Sequence, residues 1–123
     1  MLERYSLKRK EIVLGEIIRE DGIFRFELDK NAPTNPYMYP YEFYEFGKYD
    51  FNYKVTHEDI KLFIEDRAMD PNRVGIWEYL YSLGLTEYDA WEICKKTKAI
   101  AIEDFFWITK DKDEDYRKVL PRF

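Results

Sequence analysis

The apolar positions change period along the chain. Over residues 1–54 they recur at the short spacing of strands, and over residues 55–123 at the spacing of helices. Leu2 to Leu7 predicts a first strand, although its alternation is imperfect. Glu11 to Arg19 carries Ile12, Val13, Leu14, Ile17 and Ile18, a mostly β-branched run too short and uncapped for a helix. Asp21-Gly22 then offers two residues that tolerate positive φ, and Phe24, Phe26 and Leu28 alternate with Ile23, Arg25 and Glu27. That pattern predicts a hairpin with Phe24, Phe26 and Leu28 toward the core and Arg25 and Glu27 outside. The basic run Lys8-Arg9-Lys10 reads as a turn between the first two strands. Residues 30–40 (KNAPTNPYMYP) hold three prolines and two asparagines and form a loop. From Tyr37 to Tyr53 every second or third residue is aromatic, which predicts a short strand, a break at Gly47-Lys48 and another short strand.

The second half carries helix punctuation. Thr56 with Asp59 forms a capping-box pattern that opens a helix through about Arg67, with Ile60, Phe63 and Ile64 inward. Asp70 followed by Pro71 predicts a second helix start, presenting Ile76, Trp77, Leu80 and Leu83 and stopping at Gly84. Thr86 with Asp89 predicts the cap of a third helix bearing Tyr88, Trp91, Ile93 and Cys94. Ile102 to Phe106 suggests a helical turn, and the tail from Lys110 alternates charge with little apolar content. The expected architecture is α+β: one domain over 1–123, with a small antiparallel sheet from the N-terminal half packed against three to four short helices from the C-terminal half.

Composition changes this picture in one respect. Aromatic residues make up 19% of the chain, with three Trp, eleven Tyr and nine Phe. That is more ring area than one face of a small sheet hides. The net charge of -5 argues against broad contact with phosphate backbones. An acidic surface instead suits a basic partner, or simply keeps the chain in solution. The single cysteine, Cys94, sits on an apolar helix stripe and reads as a buried, inert thiol in a reducing compartment. No apolar run approaches the roughly 18 residues of a membrane span, so a cytoplasmic protein with no membrane partner is expected.

No catalytic set assembles from these residues. His57 is the one histidine, and its neighbours Glu58 and Asp59 point elsewhere on a helix, so no metal site is expected. Ser6 and Ser82 lack a nucleophile's surroundings. Glu65-Asp66, Glu103-Asp104 and Asp111 to Asp115 are sequence neighbours on solvated faces rather than carboxylates converging in a cleft. No catalytic residue, cofactor or metal is therefore expected. The aromatic run is the best candidate surface: Tyr37, Tyr39, Tyr41, Tyr44, Tyr49 and Tyr53 bring contact area at low rotamer cost. The competing reading places one face of that run in the core under the helices. An exposed aromatic face would also permit a homodimer.

Arg67, Arg73, Gly75-Ile76, Leu80 and Leu83-Gly84-Leu85, followed by Ile102-Glu103-Asp104-Phe105-Phe106-Trp107-Ile108, resemble the N-terminal, non-kinase region of bacterial HipA-like proteins. Ala101 through Ile108 is similar to that region's closing motif, and the opening Tyr5-Ser6-Leu7 with Val13 resembles its start. The sequence departs from the pattern at Pro71, displaced by one place, and at Ala101, where the family has Ser. The kinase domain that follows in such proteins has no counterpart in residues 1–123, so kinase activity does not carry over. The resemblance implies a non-enzymatic regulatory module that binds and modulates a protein partner, either a kinase-like toxin or a host factor bound by a phage-encoded inhibitor. Arg67 and Arg73 then either bridge to Asp66, Asp70 or Glu103, or anchor a partner's carboxylate or phosphate. The rival expectation is a nucleic-acid-associated regulator whose 71–84 and 86–97 helices imitate a helix-turn-helix. Against it, the second of these helices begins with Glu87 and Asp89, which phosphates would repel.

Overall fold

A computed structural model describes residues 2–43, 54–101 and 104–119. Strands β1 (Leu2–Arg9), β2 (Ile12–Glu20) and β3 (Ile23–Leu28) form a meander, and β4 (Phe106–Thr109) returns to the free edge of β1. The sheet is antiparallel with order β3-β2-β1-β4. Helices α1 (His57–Arg67), α2 (Ile76–Ser82) and α3 (Ala90–Thr97) lie between β3 and β4 in the chain, and α4 (Tyr116–Val119) follows β4. The α+β arrangement of a small sheet with short helices is the one expected.

The two tight turns have their cause in positive φ. Asp21 and Gly22 sit at φ 53° and 82° between β2 and β3, the left-handed pair a two-residue hairpin demands. Between β1 and β2 the turn is Lys10-Glu11, with Lys10 at φ 52°. Lys8 and Arg9, expected in that turn, belong instead to β1. Leu7 pairs with Gly15 but Lys8 pairs with Val13, so Leu14 is the extra residue of a β-bulge and packs into the core. Gly15 permits this crossing. A Cβ there would lie 2.3 Å from the Glu27 carbonyl oxygen and 2.6 Å from the Phe26 ring.

Register assigns the two faces of the sheet. Tyr5, Ile17 and Phe26 align across three strands on one face, with Leu7 and Ile108 beside them. Ile60, Phe63 and Ile64 of α1 and Trp91 and Cys94 of α3 close over this face, joined by Tyr39 and Phe43. Phe24 is buried and Phe26 half-buried as expected, but Leu28, the last residue of β3, is exposed. A smaller cluster of Ile76, Leu80 and Ile93 holds α2 against α3. The opposite face carries an open charge lattice: Arg4 to Glu16 at 3.4 Å and Arg25 to Glu20 at 3.3 Å. Near β4 that face is covered by the C-terminal segment, where Tyr116 packs on Trp107 with ring centres 5.7 Å apart.

Several element boundaries differ from the sequence reading, each for a local reason. The Thr56–Asp59 capping box forms, with reciprocal bonds of 3.2 and 2.9 Å, and α1 ends at Arg67. Asp70 and Pro71 do not start a helix. The Asp70 side chain accepts the Asn72 N–H at 2.8 Å and its carbonyl accepts the Arg73 N–H, which closes a turn. Gly75 then adopts φ 84°, so α2 begins only at Ile76. Thr86 is not the cap of α3. Asp89 takes that place, accepting the N–H groups of Trp91 and Glu92 at 3.0 and 3.3 Å. Residues 37–43 form two 3₁₀ turns, Pro36–Met38 and Tyr41–Phe43, rather than a strand, because Pro36 and Pro40 interrupt any ladder. The predicted second strand of the aromatic run lies outside the described residues. Of the helical turn expected at 102–106, residues 102 and 103 lie outside the described residues, and Phe106 opens β4, whose Ile108 faces Leu7 on the edge that β1 leaves open.

Candidate functional site

Arg67 is the sharpest departure from an interaction surface. It leaves the last turn of α1 with its guanidinium over the Phe63 ring at 5.0 Å. One terminal nitrogen donates to Asp104 Oδ2 at 2.8 Å; the other donates to Asp104 Oδ1 and to the Phe106 carbonyl, both at 2.7 Å. Nε donates to the Ala99 carbonyl. Four of the five N–H donors are thus used, and the side chain is 6% exposed. Burial raises the Asp104 carboxyl, but the Arg67 hydrogen bonds and charge, with the Phe106 N–H, outweigh it and hold the group below the ordinary carboxylate range. This bidentate pair ties α1 to the entry of β4. Arg67 is therefore a fold element, paired with Asp104 rather than with Asp66 or Asp70; Glu103 lies outside the described residues.

Arg73 behaves differently. It is exposed in the turn before α2, and its side chain makes no hydrogen bond or ion pair among the described residues. The aromatic candidates also divide. Tyr37 and Tyr41 are exposed, and the Tyr41 hydroxyl donates to Asp66 at 3.3 Å. Tyr39 is buried, with its hydroxyl donating to the Pro33 carbonyl at 2.7 Å. It pins the loop to the core and leaves the surface set; burial pushes its phenol up to about 12. Tyr44, Tyr49 and Tyr53 lie outside the described residues.

Beside Tyr41, Glu42 tucks toward the end of α1. Burial, followed by the neighbouring Asp66 carboxyl, drives its pKa up to about 7, and the Arg67 charge offsets only part of this. In the unfolded chain a glutamate titrates near 4.3, so the folded state holds this proton more tightly. The associated stability is full below that value and is lost as pH rises through about 7. Glu42→Gln is expected to raise stability at pH 8 by about 1–3 kcal/mol and to leave it little changed at pH 4. Urea unfolding at the two pH values measures this; an unchanged pH slope in the variant would sink the assignment.

The surface that sequence reading missed is on α2. Trp77 was expected in the core, yet it is 56% exposed, and Tyr81, one turn on along the same face, is 64% exposed. Val74, three residues before Trp77, is 98% exposed. The register of α2 explains this: Ile76 and Leu80 take the buried side toward Ile93, so 77 and 81 face out. The 76/80 spacing alone defines the buried stripe of α2, and Trp77 falls beside it.

Comparison with family models, with curated proteins and with solved structures returns no match for this chain.

The remaining chemical groups serve the fold. His57 Nδ1 accepts the Phe24 N–H at 2.9 Å while its ring stacks on Phe24, which joins α1 to β3. Cys94 is buried, donates to the Ile64 carbonyl, and has its thiol pushed up to about 12 by burial, which suppresses the thiolate. Among the described residues no group of three or more His, Cys, Asp or Glu is placed to hold a metal, and no helix is long and apolar enough to cross a membrane.

Proposed function

We propose that this chain is a non-enzymatic protein-binding module that modulates a partner through the outer face of α2. The observation that carries the reading is the exposure of Trp77 and Tyr81 on α2 and of Val74 in the turn before it, with Arg73, which has no side-chain partner among the described residues, beside them. Exposed Trp and Tyr with an adjacent Arg are the residue types that dominate interface energies. Leaving them in water costs apolar hydration that a partner's apolar pocket removes. Tyr37 and Tyr41 extend the candidate contact set, while Arg67 and Tyr39 drop out of it.

The partner class follows from the HipA-like resemblance: a kinase-like toxin restrained by an antitoxin-like module, or a host factor bound by a phage-encoded inhibitor. The cytoplasm is the compartment this reading requires. Nucleic-acid reading is the weaker alternative. The first turn of α3 presents the Asp89 and Glu92 carboxylates where a recognition helix presents donors.

Affinity purification from the native host is expected to recover a stoichiometric partner at moderate salt. Trp77→Ala should reduce that affinity by a factor of about 30 or more while leaving the melting temperature unchanged. A partner retained undiminished by Trp77→Ala, or none recovered, overturns the reading. Concentration-dependent sedimentation that Trp77→Ala abolishes would make the partner a second copy.

A further inference from the structure

A groove of about 680 Å3 opens between the hairpin end of the sheet, α1 and the start of α3. Its donors are concentrated at one end. Arg19 enters from β2 with its guanidinium over the Phe24 ring at 5.5 Å. Its nearest carboxylate, Glu3, stands 3.8 Å away and already accepts the Trp91 indole N–H at 3.1 Å and the Lys95 ammonium at 2.7 Å. The Arg19 Nε is buried and has no hydrogen-bond partner among the described residues. A guanidinium N–H in that state lacks an acceptor that folding ordinarily supplies.

Two further donors share this wall. His57 gives its Nδ1 lone pair to the Phe24 N–H, so in the neutral ring the proton is on Nε2, 3.9 Å from the exposed Glu58. Lys61, one helical turn on, is exposed, and its side chain has no hydrogen bond or ion pair among the described residues. Farther along α1 the lining changes sign, to Glu65 and then Asp70 beyond the helix end, with Asp89 at the α3 cap. One turn of helix, about 6 Å of rise, separates Lys61 from Glu65. Phe24, Ile64 and Trp91 supply the apolar wall between the two ends.

We infer that this groove binds a small dipolar molecule: an oxyanion, carboxylate or phosphate, against Arg19, His57 and Lys61, an apolar body along Phe24 and Trp91, and a cationic end toward Glu65 and Asp70. The oxyanion meets the exposed part of the Arg19 guanidinium, whose side chain is 30% exposed although its Nε is buried. The acidic end excludes molecules negative at both ends. This site is separate from the α2 face, so Trp77→Ala leaves it unchanged.

Amide and indole NMR titrations of the full chain test the inference. The probes are 4-(aminomethyl)benzoate, benzoate, phenyl phosphate, benzylamine and benzyl alcohol. Expected are shifts at Gly22, Ala90 and the Trp91 indole, with 4-(aminomethyl)benzoate tightest and benzyl alcohol weakest. Arg19→Gln should weaken the carboxylates about tenfold or more and leave benzyl alcohol unaffected. Lys61→Ala, a change at an exposed position that spares the fold, should weaken them by a smaller factor. Phenyl phosphate against benzoate tells which oxyanion is preferred, and either one binding above the alcohol supports the site. Benzyl alcohol or benzylamine binding as tightly as benzoate overturns it. So do affinities unmoved by both variants, or no shifts at millimolar probe.

Discussion

Arg67→Met is expected to lower unfolding stability by about 3 kcal/mol. Removing one partner of a buried, hydrogen-bonded ion pair costs about 3–5 kcal/mol, and the lower end applies because Asp104 keeps 36% of its side chain in water. Met restores the packing over Phe63 but offers no donor. Asp104 and the Ala99 and Phe106 carbonyls all lose an N–H they now accept. Asp104→Asn should cost less, about 1–2 kcal/mol, because the guanidinium keeps both backbone carbonyls. The pair also predicts a pH signature. The folded Asp104 carboxyl lies below its unfolded value near 3.9, so its contribution is complete above that value and disappears as pH falls through the folded one. Denaturant unfolding at pH 7 and pH 3 should therefore show a larger gap between wild type and Arg67→Met at the higher pH. A gap under about 1 kcal/mol at pH 7 would mean the pair contributes as an exposed bridge does.

Lys8→Met should cost about 2–4 kcal/mol and release the C-terminal segment first. Lys8 is 1% exposed, and its ammonium donates to the Lys112 carbonyl at 2.9 Å and the Glu114 carbonyl at 2.8 Å. It also lies 4.9 Å from the centre of the Trp107 ring, with the Glu11 carboxylate at 3.8 Å. A Met of similar length fills the space but leaves both part-buried carbonyls without this donor, at about 1–2 kcal/mol for each. Glu11 accepts the Tyr116 N–H at 2.8 Å, and Glu114 accepts from Thr109 at 2.6 Å and from Lys98, so the segment opens as a unit. Trypsin should cut the variant faster at Lys110 and Lys112 than the wild type. Trp107 fluorescence should move to the red as Tyr116 leaves the ring. Equal cleavage rates and an unshifted spectrum would mean that Lys8 does not hold the segment.

Both residues show how far local pattern carries. The strand meander, the Asp21-Gly22 turn, the α1 capping box, the Gly84 stop and the buried Cys94 were legible because each depends on a few neighbouring residues. Positive φ, a Thr–Asp reciprocal cap and an apolar stripe are short-range physics. Lys8 reads as a turn residue because its neighbours are basic, and Arg67 as a bridge to a nearby carboxylate or an anchor for a partner, because its acceptors lie 32 to 39 positions away. No periodicity encodes such pairings.

The aromatic residues make the same division on the candidate surface. Their excess was plain in composition, and with it the expectation of exposed rings. Which rings face water depended on where chain turns placed them. Pro36 and Pro40 convert an alternating run into 3₁₀ turns that bury Tyr39 and Phe43 and expose Tyr37 and Tyr41. Gly75 delays α2 to Ile76, and packing of Ile76 and Leu80 on Ile93 turns Trp77 outward. The sequence by itself determined the α+β class and most local turns and caps, because hydrogen bonds within a few residues decide them. Tertiary structure alone decided which charges are buried, that β4 closes the sheet edge, and that α2 carries the exposed Trp–Tyr face, because those outcomes rest on contacts between segments distant in the chain.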